Sequence, residues 1–256
     1  MLIDFVWTLG EVFVLLAAAF AAGGLNAVAG GGSFLTLSAL VAVGLPGGVA
    51  NATGTVALLP GYVSAAYAFR DRVDTPAGLS MSALVLVSLF GGVAGAALLI
   101  WTPTATFDVV IPWLLLLATV AFAFGPRIVR NSRIGANGLG ATASVVSLLL
   151  VSLYGGYFNG GLGIMLLAVL ALLGMTDIHG ANGIKNLVSA VLTGVAVIVY
   201  AWGGVVAWFE AILMMVGATA GGYIGARATR RIDPARVRQA VVVVGLVLTV
   251  VFIGRI

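Results

Sequence analysis

The sequence predicts an all-α polytopic membrane protein, and three of its properties carry that expectation. Hydrophobic residues make up 62% of the 256 residues and charged residues only 8%, against about a quarter charged in soluble domains. Several apolar runs exceed the ~20 residues a bilayer-crossing helix needs, and no charge falls between Val12 and Phe69. The long Leu, Ala, Val and Gly runs lack the alternation that a transmembrane barrel requires. Cysteine is absent, which excludes disulfides, thiolate metal sites and thiol catalysis. The net charge of +4 comes almost wholly from loop arginines, a pattern that reports membrane topology and not nucleic-acid binding.

Apolar runs between breakers predict segments at 9–28, 31–44, 48–69, 76–101, 106–125, 138–158, 161–174, 179–201, 205–226 and 238–254. The first opens with acids, Asp4 and Glu11, and no base before its apolar run. That is the wrong flank for a cleaved signal peptide, so the segment is read as part of the mature fold. Segments 31–44 and 161–174 are short, ~21 Å at 1.5 Å per residue against a ~30 Å hydrocarbon core. Each follows a glycine cluster, so each half holds a broken helix or re-entrant hairpin near the midplane.

The eleven arginines set the orientation. Arg70 and Arg72 follow the third segment, Arg127, Arg130 and Arg133 the fifth, and Arg227, Arg230, Arg231, Arg236 and Arg238 lie between the last two. The positive-inside rule makes these loops cytoplasmic and the base-free loops at 102–105 and 202–204 external. Trp7, Trp101, Trp202 and Trp208 then fall at the outer interface, where aromatic belts form. The chain also repeats itself. ANAT at 50–53 matches ANGI at 181–184, GGG at 30–32 matches GGL at 160–162, and Gly44 matches Gly174. Residues 1–130 start outside and end inside, whereas 131–256 do the reverse. The expectation is one membrane domain of two inverted-topology repeats, with a substrate site where they meet.

The polar inventory points to an anion. A break such as Gly30-Gly31-Gly32-Ser33 frees backbone N–H groups at the start of the next helix, where the macrodipole places roughly half a positive charge. Asn159-Gly160-Gly161-Leu162-Gly163 repeats the device in the other half. Asn51 and Asn182 stand at matching positions near helix starts, where either an N-cap or a ligand role fits. Asn182, Lys185, Asn186 and Ser189 share one helical face. Lys185 is the single lysine, and its place inside an apolar helix marks it as a positive group for an anion. His179, the single histidine, reads as an exposed turn residue beside Asp177. Asp108 and Glu210 lie near outer helix ends, which disfavours cation transport. No metal site and no cofactor is expected. The GxSxG elbow is absent because position 35 is leucine, and there is no P-loop.

Beyond these readings, the motifs NAVAGGGSFLTL (26–37), GLPGGVANATGTVALLPGYVSAAYAFR (44–70), GGYFNGGLGIMLLAVLALLGM (155–175) and ANGIKNLVSA (181–190) resemble the sulfite exporter TauE/SafE family of membrane permeases. The resemblance implies a secondary carrier of sulfite, sulfoacetate or other sulfonates. It maps the family's paired motifs onto Asn26, Gly30, Gly31, Gly32, Asn51, Thr53, Gly160, Gly161, Gly163, Asn182, Lys185 and Asn186. With Ser33 and Asn159 these form the expected substrate site, shaped by Phe34 and Phe158, with Pro60 as a hinge. The expected role is export of a small sulfur-containing anion by alternating access in the cytoplasmic membrane. Import, or carriage of another small anion, is the alternative, and an intramembrane serine hydrolase using Ser33 and His179 a remote one. The expected partners are the anion and the lipid bilayer, with a homo-oligomer allowed and nucleic acid excluded.

Overall fold

Glycine, proline and polar caps at Thr8, Ser80 and Asp177 divide the chain into helices, ten of them among the described residues. The computed structural model describes residues 8–28, 30–73, 75–76, 79–131, 140–228 and 234–254. The first half holds α1 (Leu9–Val28), α2 (Ser33–Ala42), α3 (Gly47–Ala68), α4 (Met81–Trp101) and α5 (Thr104–Asn131). The second holds α6 (Ala141–Tyr157), α7 (Leu162–Leu172), α8 (Ile178–Trp202), α9 (Trp208–Ala228) and α10 (Pro234–Ile253). Five of these, α1, α4, α5, α8 and α9, are long and apolar enough to cross a membrane. The expected loop bases Arg133, Arg230 and Arg231, and Trp7, lie outside the described residues.

The helix ends follow local chemistry. Residue 80 caps α4, its Ser80 hydroxyl accepting from Ala83 N at 3.2 Å, so that helix begins at Met81 and not at 76. Helix α5 runs past Gly125-Pro126 to Asn131, because helix formation does not end where apolarity does. At the far end of each short helix a glycine with positive φ closes a Schellman motif. Gly44 (φ 96°) donates to Val41 O and Leu45 to Leu40 O; Gly174 (φ 88°) donates to Ala171 O and Met175 to Leu170 O. The Gly44 and Gly174 match in sequence is therefore the same helix stop used twice.

Asn51 and Asn182 do not cap. Helix α3 starts four residues before Asn51, directly after Pro46. Helix α8 is capped by Asp177, whose carboxylate accepts from His179 N and Gly180 N. Both asparagines lie in the second turn, buried. His179 belongs to the first turn of α8, half-buried, with its ring stacked on Phe69.

Packing pairs the helices across the halves. Helix α1 runs parallel to α9, with Leu16 against Gly217, Phe20 against Gly221 and Gly24 against Gly225. Helix α4 runs parallel to α6, Gly91 meeting Ser152 and Gly95 meeting Gly156. A Cβ on Gly221 would stand 1.9 Å from Phe20 O, and one on Gly95 2.1 Å from Leu153 O, so these small-residue faces let backbones touch. Exchanging the halves turns the α1–α9 pair into α6–α4 and the α3–α9 pair into α8–α4, while the α3–α8 and α5–α10 pairs map onto themselves.

The two short helices, of 10 and 11 residues, are about 15 Å long, half a hydrocarbon core. After α1 the chain doubles back, since Gly32 packs directly on Ala22 O. Helix α2 then returns to the end of the bundle where α3 and α5 begin, Gly47 lying against the Asp108 carboxylate. Outside the bundle, Leu9, Phe13, Phe90, Ile198 and Val250 present exposed apolar side chains, the surface a bilayer covers. Trp101 and Trp202 are 80% and 92% exposed, both at the arginine-free end.

Candidate functional site

The two glycine breaks meet. A Cβ on Gly30 (φ 81°) would lie 2.4 Å from Gly163 Cα, and one on Gly163 would lie 2.5 Å from Gly30 Cα. Only glycine at both positions lets the backbones cross this closely. Ser33, the first residue of α2, ties the breaks together: its hydroxyl donates to Asn159 O at 2.8 Å and accepts from Gly161 N at 3.4 Å. Residues 126 to 128 positions apart thus converge at the starts of α2 and α7.

A buried hydrogen-bond chain extends from this junction. Gly32 N donates to Asn26 Oδ1 at 2.8 Å, and Asn26 Nδ2 donates to Tyr62 Oη at 3.2 Å. Tyr62 in turn donates to Asn159 Oδ1 at 2.9 Å. The Lys185 ammonium, fully buried, donates to Asn26 O at 2.6 Å, Asn182 Oδ1 at 2.9 Å and Ala27 O at 3.4 Å. A cation thus sits on the last carbonyls of α1, where the macrodipole is negative. Tyr154 donates to Gly160 O, and Tyr200 to Gly156 O. The second broken end is held by hydroxyls where the first is held by a charge.

Beside the junction lies a small cleft with about 10 Å3 of water-sized space, lined by Ser33, Thr36, Leu37, Ala50, Asn51, Thr55, Phe158, Asn159 and Gly160. That is room for about one water molecule. Asn159 Nδ2 is buried there without a hydrogen-bond partner. Asn51 Nδ2 donates to Tyr157 O at 3.0 Å, so its amide is partly used in holding the end of α6.

Of the residues expected from sequence, Ser33, Asn51, Asn159 and Gly160 line the cleft. Asn26, Gly30, Gly32, Gly161, Gly163, Asn182 and Lys185 belong to the junction and its bonding chain. Gly31 faces elsewhere, against Val241 and Phe122. Thr53 accepts from Ala207 N at 3.0 Å and so fixes the approach to α9. Asn186 is fully buried, with neither end of its amide bonded. The expectation that the breaks leave N–H groups free is modified at Gly32 and Gly161, whose N–H groups are taken by Asn26 and Ser33. Phe34 and Phe158 are buried, and only Phe158 lines the cleft. Tyr62 and Thr36 were missed. Tyr62 was detectable, since position 62 falls on the same helical face as Asn51 and Thr55.

An all-helical bundle with two half-length helices broken at its centre, and a polar junction between them, defines a multi-pass membrane protein of the transporter class. Comparison with known proteins makes this specific. The sulfite exporter TauE/SafE family matches residues 15–252, and the chain belongs to that family. A "Probable membrane transporter protein" of Haemophilus influenzae is 28% identical over 244 residues, covering 92% of each chain.

Proposed function

We propose that the chain is a secondary transporter that exports a small sulfur-containing anion, sulfite or an organosulfonate such as sulfoacetate, by alternating access about the glycine junction. The observation that carries this reading is the unpartnered Asn159 Nδ2 in a cleft where two half-helices begin. Asn159 Nδ2 is the free donor there, since the Ser33 hydroxyl donates to Asn159 O and that of Thr36 to Ser33 O; this amide beside two helix starts suits a compact oxyanion. In this reading Ser33, Asn51, Asn159 and Gly160 contact the anion. Asn26, Gly30, Gly32, Gly161 and Gly163 shape the junction, Gly31 packs the break against α5 and α10, and Lys185 and Asn182 supply a positive field from behind Asn26. Thr53 steadies α3, and Asn186 lies on the continuing route.

The halves 1–130 and 131–256 act as inverted repeats. In support, α1, α3 and α9 run together, α4 runs with α6, and Phe69 and Val73 beyond the end of α3 lie against Gly183 at the start of α8. Equivalent helices then point opposite ways, as in carriers with a midplane site. The test is flux of radiolabelled sulfite and sulfoacetate in proteoliposomes, with and without an imposed pH gradient. Saturable flux of either, competed by the other, is expected. Flux of carboxylates alone in the same vesicles would refute the sulfur assignment and leave an anion carrier.

A further inference from the structure

Helix α8 carries a polar strip that the cleft does not use. Asn186, Ser189 and Thr193 are each fully buried, and Asn186 Nδ2 and Oδ1, Ser189 Oγ and Thr193 Oγ1 have no hydrogen-bond partner. Several other helical hydroxyls behave differently, although Ser152 Oγ on α6 is also buried without a partner. Those of Thr55, Ser88, Thr119, Thr219 and Thr249 each donate to the carbonyl four residues back. Ser189 and Thr193 had the same option and do not take it, so their hydroxyls point away from their own backbone. Four unpaired polar atoms in a sealed interior call for a partner that this conformation leaves out.

The strip has a definite place. At 3.6 residues per turn, Asn182, Asn186, Ser189, Thr193 and Tyr200 fall within about 60° of one another. At one end Asn182 accepts from Lys185, which also holds the α1 carbonyls of Asn26 and Ala27. At the other end Tyr200 holds Gly156 O of α6. The strip therefore spans the gap between the two broken helix ends. The sequence repeat lays Asn182 over Asn51 and Asn186 over Thr55, both of which line the open cleft on α3. The bonding repeats too: Asn51 binds Tyr157 O, and Lys185 binds Asn26 O at the equivalent position.

We infer that the Asn186, Ser189 and Thr193 face of α8 is a second anion chamber, the inverted counterpart of the cleft on α3, closed in this conformation and opening toward the arginine-bearing end. It rests on the transport reading above and extends it. The chamber offers one amide and two hydroxyl donors and carries no acid, and Lys185 precedes it in the same helix. These features suit a small oxyanion with its waters and repel a cation. Because Gly183 of α8 lies against Phe69 and Val73, flanking Arg70 and Arg72, the strip starts from the arginine-bearing end. The cleft, beside the start of α3, faces the other.

The chain has no cysteine, so single-cysteine reporters test this directly. Thr55→Cys, Ser189→Cys, Thr193→Cys and, as a bonded-hydroxyl control, Ser88→Cys would be treated with impermeant methanethiosulfonates in membrane vesicles of each orientation. One reagent is the anionic ethylsulfonate, the other the cationic trimethylammonium. Thr55→Cys is expected to react from the arginine-free side, and Ser189→Cys and Thr193→Cys from the arginine-bearing side. At the latter two the anionic reagent should react several-fold faster, with Ser88→Cys inert. If both α8 variants label only after denaturation, the strip is a dry core and the inference fails. Reaction from the same side as Thr55→Cys, or faster with the cationic reagent, also overturns it. Labelling reads hydration and charge, whereas anion flux reads transport. A failure of the functional reading therefore shows up separately as side-specific labelling without flux.

Discussion

Tyr62→Phe tests whether the bonding chain orients the cleft. The substitution removes one oxygen and no carbon from a side chain that is 2% exposed. That oxygen accepts from Asn26 Nδ2 at 3.2 Å and donates to Asn159 Oδ1 at 2.9 Å. Each bond is worth about 0.5–1.5 kcal/mol, and an orphaned buried partner costs about 1–3 kcal/mol. With water absent from the core, the loss is about 2–4 kcal/mol. At 2–4 °C per kcal/mol for a chain of this size, the purified protein should melt roughly 4–16 °C lower. The functional effect is separable from this. Asn159 already has an unpartnered Nδ2, so losing its Oδ1 partner frees the amide to rotate within the cleft. Anion affinity, read as the sulfite or sulfoacetate concentration giving half-maximal thermal stabilisation, should weaken about tenfold, equivalent to 1.4 kcal/mol. Asn159→Ala should weaken it similarly, and the double variant no further, because both act through one amide. Full additivity of the two, or an unchanged half-maximal concentration in Tyr62→Phe, would show that the chain does not position the donor.

Three other outcomes follow from the same geometry. Gly30→Ala forces a side chain into positive φ and to 2.4 Å from Gly163 Cα; it should separate the breaks and abolish flux, even where size-exclusion chromatography shows a monodisperse protein. Lys185→Met removes the cation but keeps the volume. Its orphaned acceptors cost about 1–3 kcal/mol each, against at least ~2.5 kcal/mol gained by removing a charge from the membrane interior. With three such acceptors the loss exceeds the gain, so basal melting should fall while stabilisation by anion disappears; persistence of that stabilisation would count against the charge. Reporter fusions after Arg72 and after Trp202 should report opposite sides of the membrane, and a shared side would sink the proposed inversion.

Much of this arrangement was legible in sequence for a physical reason. Bilayer thickness fixes helix length, and the glycine breaks and the Gly44 and Gly174 stops mark departures from it. The half-helices α2 and α7 appeared within a few residues of their observed ends. Of the two roles open to Asn51 and Asn182, the N-cap falls away because Pro46 and Asp177 set the helix starts, which residue type alone does not show. Lys185 was correctly singled out as an anomaly, but composition could not show that its ammonium meets three protein acceptors. Tyr62 escaped notice because an aromatic in an apolar helix is ordinarily core, and only the position of Asn159, 97 residues away, gives its hydroxyl a partner. Local signals located the breaks, whereas the contacts that join them depend on long-range packing that no window of sequence contains.

The departure from symmetry is as informative as the repeat. The offset of 131 residues sets Lys185 over Gly54, Ser189 over Leu58 and Thr193 over Tyr62. Gly54 has room only for what it is, since a Cβ there would lie 2.9 Å from Thr36 Oγ1, and a lysine in its place would fill the wall of the cleft. In half one, then, the broken end of α6 is held by the neutral amide of Asn51 and cleft space is retained. In half two the broken end of α1 is held by a charge, and the equivalent face is sealed. In the proposed route, a single fixed cation nearer the arginine-bearing end raises anion affinity on that side, while net flux follows the gradients. Moving the charge tests this: in Gly54→Lys combined with Lys185→Gly, with Thr36→Ala to make room, the half-maximal anion concentration for uptake should rise at the arginine-bearing face and fall at the other, read in proteoliposomes of each orientation. An unchanged ratio of the two concentrations would mean that the position of the charge does not set the side of higher affinity.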